Sequence, residues 1–256
     1  MMHDWFLLSL VLALLSLDIS AVGQFMVARP IVVGPVIGML TGHFELGLGM
    51  GALIELIWIG DVPVGAHLPL DLCVLSGVAV AFASELTTAK YPPEAAMTYA
   101  IGVAIPLAAL STQVEILLRK FHVRWVHFAQ RMALNNHLKT FEWINLVVIL
   151  ELFLKGFLMA VLGLTLAHFS AGLFQMFPAK VIEGLYYAHW LLLALGCSAV
   201  IDLVVEKKNF LFLVLSVASI LCLALIGQVQ GIWLVTLVLM AGLIITLFFL
   251  GKGENA

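Results

Sequence analysis

Eight apolar stretches, at about 5–22, 31–60, 71–87, 97–118, 143–168, 186–205, 209–227 and 231–250, make up most of this chain. Many are close to the twenty or so residues that take a helix across the ~30 Å hydrocarbon core of a bilayer. Too little charge lies between them to coat a water-soluble surface. Of 256 residues 63% are hydrophobic and 11% charged, against about 25% charged in a soluble domain. Soluble enzymes, disordered tails and disulfide-stapled secreted domains are thereby excluded. The net charge of −3 offers no basic field for nucleic acid. The chain reads as an all-α polytopic membrane protein, one domain over 1–256. About seven to nine hydrophobic segments are expected, some broken or re-entrant.

The first apolar run lacks a basic leader, so Met1-Met2-His3-Asp4-Trp5 is read as opening a retained helix rather than a signal peptide. Orientation comes from the interruption at 119–139, which carries Arg119, Lys120, Arg124, Arg131 and Lys139. Clustered Lys and Arg favour the cytoplasmic side. Phe121, Trp125, Phe128 and Met132 recur at helical spacing between them, which predicts an amphipathic interfacial helix serving as topology anchor or docking surface. His122, His127 and His137 are expected there as titratable surface groups. Alternating onward through Lys207-Lys208 and the turn at Gln228-Val229-Gln230-Gly231 places the C-terminus in the cytoplasm. Cys73, Cys197 and Cys222 sit in apolar runs without metal-ligand spacing and read as small buried hydrophobes.

Residues 29–72 do not read as plain spanning helix. Pro30, Pro35, Pro63 and Pro69 break helical continuity, while Gly34, Gly38 and Gly42, spaced by four, allow close helix packing. Irregular backbone at membrane depth survives only where it is buried in protein or lines a wet cavity. Gly/Pro-interrupted apolar segments are therefore a sequence pointer to a transporter site. Gly47-Leu-Gly49-Met-Gly51-Ala52 satisfies a dinucleotide-binding pattern, but that pattern needs a strand before it, and a membrane segment supplies none.

Ionisable residues within such sequence are costly unless paired or hydrated. Glu151 and Lys155, four apart, predict an ion pair on one helix. Arg29, Glu115 and Asp202 lie near predicted span ends, and nothing nearby assigns a role to Asp18. Glu55, Asp61 and Asp71, with His67, flank Pro63 and Pro69. They fit either a binding pocket or internal capping of broken backbone. Carboxylates, an amide and an imidazole suit vicinal hydroxyls, and Trp58 is either a flat face for sugar C–H groups or a lipid-facing ring. No three-ligand metal set, nucleophile–base pair or phosphate loop is present in the sequence. From the residues alone the reading stops at a transporter of a small polar solute.

Arg29-Pro30 leading into Gly34-Pro35-x-x-Gly38, the block Gly51-Ala-Leu-Ile-Glu55-Leu-Ile, and Gly60 to Asp71 with Gly65-Ala66 resemble the IIC subunit of the mannose/fructose/sorbose class of the bacterial sugar phosphotransferase system. Asn135-Asn136 and Trp143-Ile144 are a weaker echo. The resemblance implies an elevator-type sugar transporter subunit of the bacterial inner membrane, not an enzyme on its own. It also implies a IID membrane partner, cytoplasmic IIB and IIA phosphocarriers, and assembly as a trimer of IIC–IID pairs. Carried onto this chain, it implies sugar contacts at Glu55 and Asp71, with Gln24, Asp61 and His67 beside them. An ion-coupled carrier acting alone, or a paralogue that assembles or senses without transporting, are the alternatives.

Overall fold

A computed structural model describes residues 2–61, 68–134 and 139–204. The chain divides into two compact units, Met1–Val200 and Ile201–Ala256, and the described residues lie almost wholly in the first. The apolar stretches expected at 209–227 and 231–250, the basic pair Lys207-Lys208, Cys222 and His137 lie outside the described residues.

Among the described residues the regular secondary structure is all α-helix, joined by turns and irregular segments. In chain order the helices are α1 (Met2–Ser20), α2 (Pro30–Leu40), α3 (Phe44–Ile57), α4 (Leu72–Thr88), α5 (Pro93–Leu134), α6 (Lys139–Gln175) and α7 (Ala179–Val204). Three of them, over Pro93–Met132, Trp143–Gln175 and Ala179–Leu203, are long and apolar enough to cross a membrane.

The stretch read as 31–60 is a helical hairpin rather than one helix. Pro30 at the first helical position starts α2, where a missing N–H costs nothing. Gly42 ends it at φ +76, a left-handed conformation that glycine adopts without strain. The His43 N–H then reaches Gly38 O at 2.7 Å and the Gly42 N–H reaches Met39 O at 3.2 Å, so the last carbonyls are satisfied and the chain reverses. With 11 and 14 residues, the two arms are about 17 and 21 Å long, too short to cross. Their seam is made of glycine. A Cβ on Gly34 would run into the Gly47 carbonyl, and one on Gly51 into the Pro30 carbonyl. The dinucleotide-like pattern is thus helix-packing surface inside α3.

α4 is the centre of the core. Leu72 through Ser84 is buried without a break, as expected of a helix that is apolar all round. Gly77 receives Leu12 of α1, Gly163 of α6 receives Val78, and the Thr41 and Ser84 hydroxyls, 3.0 Å apart, tie the hairpin turn to α4. α6 presents Leu146, Leu150, Leu154 and Leu158 outward at four-residue spacing, a stripe suited to acyl chains.

The basic stretch is not a separate interfacial helix. α5 continues through it to Leu134, 42 residues in all. Phe121, Trp125 and Phe128 stack edge to face along one side, at 6.5 and 6.4 Å between centroids. Apolar spacing at three to four residues continues that of the preceding span, so nothing ends the helix. Pro106 lies inside α5 and leaves the Gly102 carbonyl without its intrahelical donor. Cys73 is buried, whereas Cys197 is exposed on α7, because α7 packs against the rest over little of its length.

Gly47→Ala and Gly51→Ala are expected to destabilise the purified protein by about 1–3 kcal/mol each, since a rigid backbone carbonyl must move. Gly102→Ala, where a Cβ meets nothing within 4 Å, should be neutral or stabilising by up to about 1 kcal/mol. Thermal unfolding in detergent distinguishes the two classes.

Candidate functional site

Two charged clusters flank the connection between α3 and α4. The deeper one is built around Lys155 of α6. Its ammonium donates to Asp71 Oδ2 at 2.7 Å and to Glu115 Oε2 at 3.1 Å. Side-chain exposures are 6% for Lys155, 2% for Asp71 and 8% for Glu115. Asp71 also caps α4, accepting from Val74 N at 3.2 Å, and accepts from the Ser111 hydroxyl at 2.5 Å. Glu115 is held from its other oxygen by Arg119, whose Nη2 lies at 2.7 Å, and by the Ser20 hydroxyl of α1 at 3.2 Å. Two carboxylates face two cations, so the cluster is formally neutral, and it joins α1, α4, α5 and α6.

The second cluster closes the base of the α2–α3 hairpin. Arg29 pairs with Glu55, its Nε 2.7 Å from Oε1, and the Ile31 N–H donates to Oε2 at 3.4 Å. A carboxylate at the start of α2 also complements the helix dipole. Beyond α3 the backbone leaves the helix at Trp58, which caps it and packs half-buried against the core. Asp61 follows. Its N–H donates to Trp58 O at 3.0 Å and its Oδ2 accepts from Leu70 N at 3.2 Å, bracing the irregular connection at both ends. Thr112 of α5 completes the brace by accepting from Asp71 N at 3.0 Å.

Glu55, Trp58 and Asp61 are thus brought to one end of α3, with Asp71 at the far end of the same connection. Glu55 and Asp71 have separate partners and share neither a hydrogen bond nor an ion pair among the described residues. Gln24 lies in the exposed loop between α1 and α2, at φ 53, and His67 lies outside the described residues.

The expected Glu151–Lys155 pair does not form. Four-residue spacing permits it, but Lys155 turns inward to two buried carboxylates and Glu151 takes His122 of α5 at 2.9 Å. His122 is accordingly a half-buried helix–helix contact and not a loop residue. Glu115 is buried in the cluster, not snorkelling at a span end. Asp18, left without a role by the sequence, accepts from Phe25 N and Val27 N, each at 2.7 Å, and so folds the loop between α1 and α2. The signal for the deep cluster is present in the sequence: Ser111, Glu115 and Arg119 recur every four residues and so share one face of α5.

Residues 2–248 match the family described as PTS system sorbose-specific IIC component. This chain belongs to that family. The mannose-specific EIIC component of Escherichia coli K12 is 26% identical over 190 residues, covering 72% of this chain and 67% of that one. Two solved structures, each 21% identical, share the fold. One, described only as a membrane protein, superposes with a TM-score of 0.69 over 98% of this chain and 96% of its own. The other, from the complex of mannose transporter ManYZ with microcin E492, gives 0.51 over 96% of this chain and 92% of its own. The IIC resemblance read from 29–72 is confirmed, as are the all-α membrane architecture and its assignment to phosphotransferase-system sugar transport. Family membership does not favour the ion-coupled alternative.

In this IIC chain, Lys155→Met should cost about 3–5 kcal/mol of stability, because buried Asp71 then loses its cation and faces Glu115, which keeps only Arg119. Adding Asp71→Asn should recover a large part of that loss. Glu151→Gln should be far milder, the reverse of what a Glu151–Lys155 pair requires. Melting temperatures of the four proteins decide it.

Proposed function

We propose that the chain is the sugar-conducting IIC subunit of a phosphotransferase system. In this reading it binds a hexose-type sugar at the broken connection between α3 and α4 and delivers it for phosphorylation by a cytoplasmic IIB protein, itself charged by IIA. The supporting observation is that the irregular backbone described at 58–61 and 68–71 is braced by Asp61 and Thr112 within a helical membrane fold. Such backbone at membrane depth marks a solute site in transporters. Sugar hydroxyls are assigned to Glu55 and Asp61, with Trp58 covering the C–H face and Gln24 and His67 completing the pocket. Asp71 belongs to the site chiefly by positioning the start of α4, since its side chain is 2% exposed, against 16% for Glu55, and is held by Lys155, Ser111 and Val74 N–H.

The chain supplies binding and passage, and the phosphoryl chemistry resides in its partners. A IID membrane subunit is the proposed immediate partner, the pairs gathering into a trimer in the bacterial inner membrane and moving by an elevator-like displacement. The fold shared with a chain of the mannose transporter ManYZ supports a two-component transporter. The basic end of α5, with Arg124 and Arg131 exposed, and the C-terminus are placed on the cytoplasmic side by the positive-inside rule.

Calorimetric titration of hexoses into the purified IIC chain with its IID partner tests this. Glu55→Gln is expected to weaken binding by about 1–3 kcal/mol, from leaving a hydrogen-bonding partner unpaired, and to lower the melting temperature less than Lys155→Met does, since Arg29 is partly exposed. Asp71→Asn should weaken binding and lower the melting temperature together. Wild-type affinity in both variants overturns the proposed pocket.

A further inference from the structure

A cleft of about 550 Å³ opens along one face of α5, where Thr112, Gln113, Ile116, Arg119 and Lys120 line it opposite Leu68. Its polar groups are predominantly donors. The Lys120 ammonium and the Gln113 amide are exposed and have no protein hydrogen-bond or ion-pair partner among the described residues. Arg119 lines the cleft while its Nε and Nη2 donate to Glu115, and its Nη1 has no protein partner among the described residues. The Thr112 hydroxyl is already committed, donating to Ala108 O at 3.0 Å. Among the described residues no carboxylate lines the cleft. An ammonium, part of a guanidinium and an amide NH₂ around one space match a phosphate oxyanion.

The surroundings of the cleft are apolar and open. Leu117 is 63% exposed and Val126 53% exposed on the same stretch of helix. Arg124 lies 5.3 Å over the Phe121 ring, which is itself exposed. A soluble phosphate compound would leave this apolar surface uncovered, whereas a lipid covers it with its chains. Basic pockets beside membrane helices are suited to anionic headgroups. We propose that the cleft holds the headgroup phosphate of an anionic phospholipid, with Lys120 as its principal cation.

The test uses the full chain reconstituted in nanodiscs of phosphatidylcholine containing phosphatidylglycerol, followed by native mass spectrometry of retained lipid. Wild type is expected to retain phosphatidylglycerol over phosphatidylcholine. Lys120→Gln should reduce that retention about fivefold, the worth of one basic residue at an anionic surface. Lys120→Arg should preserve it. Arg131→Gln removes the same charge on the same helix outside the cleft and should leave retention unchanged. Equal losses in Lys120→Gln and Arg131→Gln would reduce the effect to diffuse charge and overturn the site. Displacement of the lipid by millimolar inorganic phosphate would assign the cleft to a soluble phosphoryl ligand and overturn it as well. Should Lys120→Gln fail to insert, Gln113→Ala takes its place with the same expected direction and the same overturning result.

Discussion

Everything else in the described fold is arranged around a lysine ammonium held between two carboxylates. Placing one such charge in an apolar interior costs several kcal/mol, and the penalty is offset only where opposite charge and hydrogen bonds meet it with good geometry. Lys155 meets that condition through Asp71 and Glu115, and each carboxylate is further held by a hydroxyl, from Ser111 and Ser20 respectively. Four helices therefore have to agree on one point in space. The start of α4 is the most constrained of them, because Asp71 is at once its cap and a member of the cluster.

That fixed point matters because the fold elsewhere relies on contacts that specify position weakly. In an apolar solvent there is no hydrophobic drive between helices, so association rests on close packing of small residues and on polar contacts. The α2–α3 hairpin shows the first device, with Gly34, Gly38, Gly47 and Gly51 bringing backbone against backbone. Its ends show the second: Arg29–Glu55 closes one end, and Thr41 on Ser84 fastens the turn to α4. Between hairpin and α4 the chain is neither helix nor strand where it is described, and its polar groups are met by Asp61 and Thr112. The proposed sugar site draws on that support, since its polar groups are already held by side chains where the backbone is described.

Much of this is legible in the sequence. Low charge and long apolar runs give the membrane class, and the glycines and prolines of 29–72 mark both the irregular region and the family. Two things are not legible. Four-residue spacing says which residues can meet along one helix, not which meet across helices, so spacing assigns Lys155 to Glu151 while its partners lie on α4 and α5. Basic residues on a helix also look the same whether the helix lies along the interface or rises through it, so 119–139 reads as a separate element, whereas its described part to Leu134 is the continuation of α5. Asp18 shows a third gap: a carboxylate that gathers three backbone N–H groups from residues 25, 27 and 28 leaves no periodic trace. Glu55, Trp58 and Asp61 are grouped by chain position alone, because they share the end of one helix.

Pro106 gives the longest helix a built-in division of labour. One rung of its ladder is missing between Gly102 and position 106, and Gly102 has open space around it. The first turns of α5, where Tyr99 packs against Phe174 and Phe177, and the later turns that carry Ser111, Glu115 and Arg119 are thus two stiff rods sharing a soft joint. Bending there breaks no backbone hydrogen bond, so α5 is softer at Pro106 than along the turns that face Lys155.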